Sequence, residues 1–266
     1  MKEDPYPTTT EDITLDTAKR YLAASKGNRR INEFRVDTYV RDMLAGRWYI
    51  GETIKFDSNG VLLDGHHRLL AILKYGLPVR SLVTRNLPPE SIRGIDLGQP
   101  RTHDQISKFM NEGFSKRHFS IAKFMEFGEH HHNLSYNEVR DLALKYDESI
   151  SWVCTVGGHE KFLNTPVMTV LAKAWYSLDR TRLKEFMDVF KTKLATSDRD
   201  WAAIKLRDCL EEARYYHTIL ERGAIYLRAQ SAVYHFCKGT PLKLLRPATK
   251  DYFPLKLDAE GKVVPA

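Results

Sequence analysis

Cysteine is scarce in this chain: the 266 residues hold three, Cys154, Cys209 and Cys237. They are far apart, odd in number and form no CxxC pair, which excludes a disulfide framework and points to a reduced cytoplasmic setting. No run of about 18 apolar residues occurs, so neither a transmembrane helix nor a membrane partner is expected. Met1 to Thr10 is polar and proline-bearing and lacks the apolar core of a signal peptide. Internal repeats and low-complexity tracts are absent as well. What is present suits a soluble globular protein of one large domain or two small ones: 42% hydrophobic residues, enough for a packed core, against 28% charged. The net charge of +7 is spread along the chain and favours an anionic partner such as nucleotide or nucleic acid.

The periodicities divide the chain. Residues 1–27 read as a flexible N-terminal arm with a short helix over Thr17 to Ser25. Val36, Tyr39, Val40, Met43 and Leu44 have helical spacing, and Gly46 is a natural terminator. Thr53 to Asp57 alternates like a strand, Ser58-Asn59-Gly60 is a turn, and Val61 to Asp64 returns as its partner. Arg68 to Tyr75 reads as a helix closed by Gly76, Pro78 to Thr84 as a third strand, and Glu90 to Gly94 as a short helix. From His103 the pattern is helical over 103–111, 115–127, 135–147, 166–177, 179–193, 198–213 and 215–237. The expectation is an α/β (α+β) protein: a small mixed-sheet domain over 28–104, then a helical domain over 105–266 with a basic C-terminal tail.

The most informative stretch is Gly60-Val-Leu-Leu-Asp-Gly-His-His-Arg-Leu-Leu-Ala-Ile72. A hydrophobic strand stops at Asp64-Gly65, two histidines and an arginine follow, and an apolar helical pattern begins at once. A turn between strand and helix leaves free N–H groups at the helix start, where the dipole favours negative charge. Gly65 allows close approach to the backbone. Arg68 adds a cationic fork suited to phosphate. The stretch reads as a polyphosphate cradle; the plainer alternative is a polar turn whose charges meet solvent or cap the helix. Asp64 does not suit a purely anionic pocket by itself. It either holds a histidine or the arginine in position or binds a metal that bridges phosphates.

Asp64-Gly65-His66-His67-Arg68 followed by Leu-Leu-Ala-Ile resembles the phosphate motif of the ParB/sulfiredoxin superfamily. ParB proteins carry a Gly-Glu-Arg-Arg box there and sulfiredoxins a Gly-Cys-His-Arg box. Asn28-Arg29-Arg30 resembles the family's upstream basic motif. Residues 43 to 57 and Asp96-x-Gly98-x-x-Arg101 resemble a ParB-like subgroup of bacteria and bacteriophages, as do Lys238 to Arg246 and Phe253-Pro254. The likeness is dense over 28–104 and thin beyond. It implies a domain that binds ATP or CTP, usually with Mg²⁺. Gly65, His66, His67 and Arg68 would hold the phosphates, Asn28 and Arg29 would flank the nucleotide, and Arg101 would approach from the downstream loop. The sulfiredoxin cysteine position is His66, so the thiolate of peroxiredoxin repair is absent. The ParB glutamate position is also His66, and the ParB switch chemistry does not carry over. Some superfamily members with an Asp-Gly-His-His-Arg-type motif are small-molecule kinases, which implies phosphoryl transfer. That chemistry needs charge neutralisation, alignment and a base. Asp64, His67, Glu33 and Asp96 are the candidate catalytic residues, with Asp64 the candidate metal ligand.

The resemblance makes DNA a second partner and allows a homodimer. Thr102 to Met125 reads either as a helix-turn-helix presenting Lys116 and Arg117 to phosphates or as an ordinary helical hairpin. In the tail, Lys243 and Arg246 flank the aromatics Tyr252 and Phe253. This is either a nucleic-acid contact or a solvated surface with two aromatics anchoring a loop. His130-His131-His132 reads as an exposed loop, because adjacent side chains diverge too widely to share one ion. Trp152, Trp175, Tyr176, Trp201, Tyr215 and Tyr216 are expected in the helical core. The leading function is NTP binding with hydrolysis or phosphoryl transfer, linked to DNA transactions of a phage or mobile element. The rivals are a non-catalytic DNA-binding adaptor switched by nucleotide and, third, a metal-dependent nuclease.

Overall fold

The computed structural model describes residues 4–26, 30–95, 97–130, 132–216 and 220–264. It is a mixed α/β protein that divides into two compact units, Met1–Arg101 with Asn133–Asn137, and Thr102–His132 with Glu138–Ala266.

The first unit is a four-stranded mixed sheet with three helices. Thr8–Ile13, which includes the β-branched Thr8, Thr9, Thr10 and Ile13, forms β1, and Thr14 caps α1 (Leu15–Ala23) by accepting from the Thr17 N–H. Asn32 caps α2 (Glu33–Leu44) in the same way. β2 (Thr53–Asp57) turns into β3 (Leu62–Asp64) through a loop held by the Asp57 carboxylate, which accepts from the N–H groups of Asn59 and Val61. α3 (His66–Tyr75) ends at Gly76, whose positive φ reverses the chain toward β4 (Val79–Leu87). The order is β1-β4-β2-β3, with β4 parallel to β2 and antiparallel to β1, and β2 antiparallel to β3.

Alternation along β4 buries Val79, Ser81 and Val83 and leaves Arg80 exposed. Through the register, Ile13, Ile54 and Val83 share the buried face. There they meet Ala18 of α1, Val36 and Met43 of α2, and Leu69 and Ile72 of α3 in one core. Asn133–Asn137 also belongs to this unit: the Asn133 carbonyl accepts from Arg41 at 2.7 Å, and the Ser135 hydroxyl donates to Asp42 at 2.8 Å.

The second unit is helical: α4 (His103–Phe109), α5 (Lys116–Phe127), α6 (Tyr136–Lys145, its start in the first unit), α7 (Asp147–Gly157), α8 (Thr165–Ala174), α9 (Arg180–Thr192), α10 (Trp201–Tyr215) and α11 (Arg222–Lys238). α8 is buried from Pro166 to Ala174 and packs against α5, α7 and α11. A two-stranded hairpin, β5 (Lys256–Leu257) and β6 (Val263–Val264), follows.

Several expectations change. Residues 8–13 are not a flexible arm: they form β1, because it gains a full antiparallel ladder on β4 and Ile13 is a core residue, while the helix expected over Thr17 to Ser25 is α1, Leu15–Ala23, with Ala18 in the core. α7 was hidden by its serines and cysteine, which blur the apolar stripe. Trp201, Tyr215 and Tyr216 are exposed at 49%, 77% and 72%, so they lie outside the core. In α4, Phe109 is exposed, and Ser107 is buried instead, accepting from the Phe114 N–H across the turn.

Candidate phosphate-binding site

The site begins at an edge strand. β3 ends at Asp64, and Gly65 takes φ 106° and ψ 2°, the left-handed region that favours glycine. A Cβ there would lie 3.0 Å from Ile54 Cγ1 and 3.2 Å from Ile54 Cα, so the close approach of β2 also demands glycine. The first helical bond of α3 runs from Leu69 N to the Gly65 carbonyl at 2.9 Å. The N–H groups of residues 66–68 therefore precede the helical ladder. Gly65 offers no side-chain cap, and the first turn of α3 carries no acid. Both features leave the positive end of the helix dipole uncompensated from within α3.

Each of the two histidines bonds a described residue that precedes α2. His66 is half-buried, and its Nδ1 lies 3.1 Å from the Ser25 hydroxyl. Burial pushes its pKa below the ordinary histidine value, which keeps the ring neutral at pH 7. His67 Nε2 accepts the Asn32 N–H at 3.0 Å, so the ring's neutral form carries its proton on Nδ1. Ser25 and Asn32 thus flank residues 26–31 and are both bonded to the start of α3. Asn28 and Arg29, expected beside the nucleotide, lie outside the described residues, as does Asp96.

Arg68 does not face outward as a phosphate ligand. It is 8% exposed. Its Nη1 donates to the Thr53 carbonyl at 2.6 Å, and its Nη2 pairs with Glu52 at 2.8 Å and Asp64 at 3.5 Å. Among the described residues its Nε has no hydrogen-bond partner. The guanidinium turns inward because the Thr53 carbonyl of β2, the Asp64 carboxylate of β3 and Glu52, just before β2, lie within one fork's reach.

Asp64 is likewise engaged. Its Oδ1 accepts the Gly65 N–H at 2.7 Å, and its Oδ2 accepts from Lys55 Nζ at 3.3 Å. Two cations and an amide hold it as a structural carboxylate, which does not fit the roles of base or Mg²⁺ ligand. No group of three or more His, Cys, Asp or Glu side chains among the described residues is arranged to hold a metal ion.

The other expected residues are scattered. Glu33 is exposed on the first turn of α2, next to Asn32, whose N–H is bonded to His67, and its charge also acts on Lys74 in the last turn of α3. Arg101 is exposed at the end of the first unit. In the second unit Lys116 is exposed, whereas Arg117 donates to the Gly158 carbonyl at 2.5 Å. Lys243 and Arg246 are exposed. The aromatics beside them serve as anchors: Phe253 is buried, and Tyr252 stacks on Tyr234 at 4.3 Å. Asp251 takes the ammonium of Lys173, a largely buried side chain of α8, at 2.6 Å.

Sequence reasoning missed Ser25, Asn32, Lys55 and Glu52. Asn32 had a local signal, an Asn directly before a helical run. The others act across chain separations that no local pattern encodes. No protein-family model, no curated protein and no solved structure matches this chain.

Proposed function

We propose that the first unit is a nucleotide-binding domain of the ParB/sulfiredoxin type. It holds the polyphosphate of ATP or CTP at the start of α3 and hydrolyses the nucleotide or transfers its terminal phosphoryl group, in DNA transactions of a phage or mobile element. The observation that carries this reading is the glycine turn, which opens α3 with neither a side-chain cap nor an acid in its first turn. Such a helix start suits an anion, bound by the N–H groups of residues 66–68. His66 joins them: when its Nδ1 accepts from Ser25, its Nε2–H is a donor for a phosphate oxygen. Arg68 acts behind the site, fixing β2, Asp64 and α3 so that the turn keeps its shape.

The engaged state of Asp64 favours a second reading, nucleotide binding as a switch without turnover. Calorimetric titration with ATP, CTP and inorganic triphosphate tests both. The expected result is saturable binding that weakens at least about tenfold in the double variant His66→Ala, His67→Ala, from the loss of the His66 donor and of the His67 bond that holds Asn32 beside the turn. Circular dichroism checks that the variant is folded. Labelled nucleotide converted to product supports the enzyme; binding without product supports the switch. Absence of binding by the wild-type chain overturns both.

A further inference from the structure

We propose that the first unit carries a second binding site, for a small aromatic molecule bearing one negative charge. Beside the ends of α2 and α3 lies a cleft of about 740 Å³. Its walls are mostly apolar: Met43, Trp48, Tyr49, Ile50, Tyr75 and Pro78. Trp48 is held edge-on against Tyr39 of α2, with ring centroids 5.6 Å apart. Tyr49 and Ile50, by contrast, are 73% and 49% exposed, apolar surface left in water at the mouth of a cavity. Three aromatic side chains around one space suit a planar ring.

The charge of the cleft is as specific as its shape. Arg80 is the one charged residue in its lining among the described residues, and Thr10, Tyr49 and Tyr75 bring hydroxyls. Asp12 stands opposite Arg80 in the β1–β4 register, but no ion pair joins them among the described residues. An exposed guanidinium beside an aromatic cleft fits a carboxylate, sulfonate or phosphate on the ring. The volume falls within the range of roughly 300–1,000 Å³ typical of small-ligand pockets. A stable protein interface would need roughly 800 Å² from each partner, far more than this cleft presents. The site is separate from the glycine turn: it meets α3 at Tyr75, whereas the turn opens α3 at His66.

The test uses the full chain and two dyes, anilinonaphthalene sulfonate and its uncharged analogue N-phenylnaphthylamine. Saturable one-to-one fluorescence enhancement is expected for the sulfonate. Arg80→Gln should weaken the sulfonate at least about tenfold while leaving the neutral dye unchanged, as loss of one charge-assisted contact predicts. Tyr49→Ser should weaken both. Both substituted side chains are on the surface, and circular dichroism confirms folding. Equal sulfonate affinity in wild type and Arg80→Gln overturns the proposal. So does binding that never saturates, or a wild-type dimer in sedimentation that Tyr49→Ser dissolves, since the cleft would then be an interface between copies.

Discussion

A buried guanidinium needs partners for its five N–H groups, and Arg68 finds most of them within its own unit. Thr53, Glu52 and Asp64 surround it, and its side chain is 10% exposed. Removing the buried guanidinium leaves the carboxylate of Asp64, 13% exposed, short of a partner, whereas Glu52, 65% exposed, meets water. Arg68→Ala is therefore expected to lower the unfolding free energy by about 3 kcal/mol, measured by urea denaturation of nucleotide-free protein. An unchanged midpoint would show that the guanidinium holds nothing in the folded chain. Read from sequence, the same arginine looks like a phosphate ligand, because residue type and position after Gly65 are visible while the carbonyl of Thr53 is not. The motif was legible; the direction of its arginine was not, since that depends on where β2 passes.

At the level of elements, the legible parts were those with strong local patterns. β2, the turn at Gly60 and the helix closed by Gly76 all follow from alternation, helical spacing and glycine placement. β1 escaped because Thr-Thr-Thr-Glu-Asp-Ile is polar on the face that stays exposed, and its ladder to β4 joins residues about 70 positions apart. The turn between β3 and α3 is the element on which the proposed phosphate site rests, and it has a direct test. Gly65→Ala must adopt a positive φ and place a Cβ 3.0 Å from Ile54. Strain and overpacking together are expected to cost about 2–3 kcal/mol. The same variant should lose triphosphate affinity under conditions where it remains folded, because the N–H groups of residues 66–68 would no longer converge. Full affinity in folded Gly65→Ala would detach phosphate binding from this turn. The tethers from His66 to Ser25 and from His67 to Asn32 explain why two histidines stand there. Each ring holds one flank of the preceding segment, a duty that sequence spacing does not reveal.

Over the whole molecule, the perturbed groups of both units act in the same direction on acid stability. Burial lowers the pKa of His66 in the first unit and of His103 and His118 in the second, with Lys123 adding to the effect at His103 and Asp147 opposing it at His118. Below the unfolded value near 6.5 the unfolded chain binds these protons and the folded chain resists them. Stability then falls as pH drops from 7 toward each folded value. A second loss follows at lower pH. Burial alone would raise the carboxyl of Glu11, but hydrogen bonds from Arg85, Tyr21 and Thr9 outweigh it and hold the group at about 2, against 4.5 when free. Glu126, bonded by Tyr146 and Lys145, and Asp200, bonded by the N–H groups of Thr196 and Ser197, are also lowered against the opposing effect of burial. These carboxylates stabilise the fold above their free pKa values and cease to do so as pH falls through the folded ones. Thermal unfolding midpoints should therefore decline in two steps, first below about pH 7 and again below about pH 4.5. His66→Asn, which cannot titrate, should flatten the first step for the first unit while leaving the second step intact. A midpoint that holds steady or rises between pH 7 and pH 5 would mean that these histidines take up protons as readily in the folded chain as in the unfolded one. His66 would then not be the buried neutral ring on which its role as a phosphate donor depends.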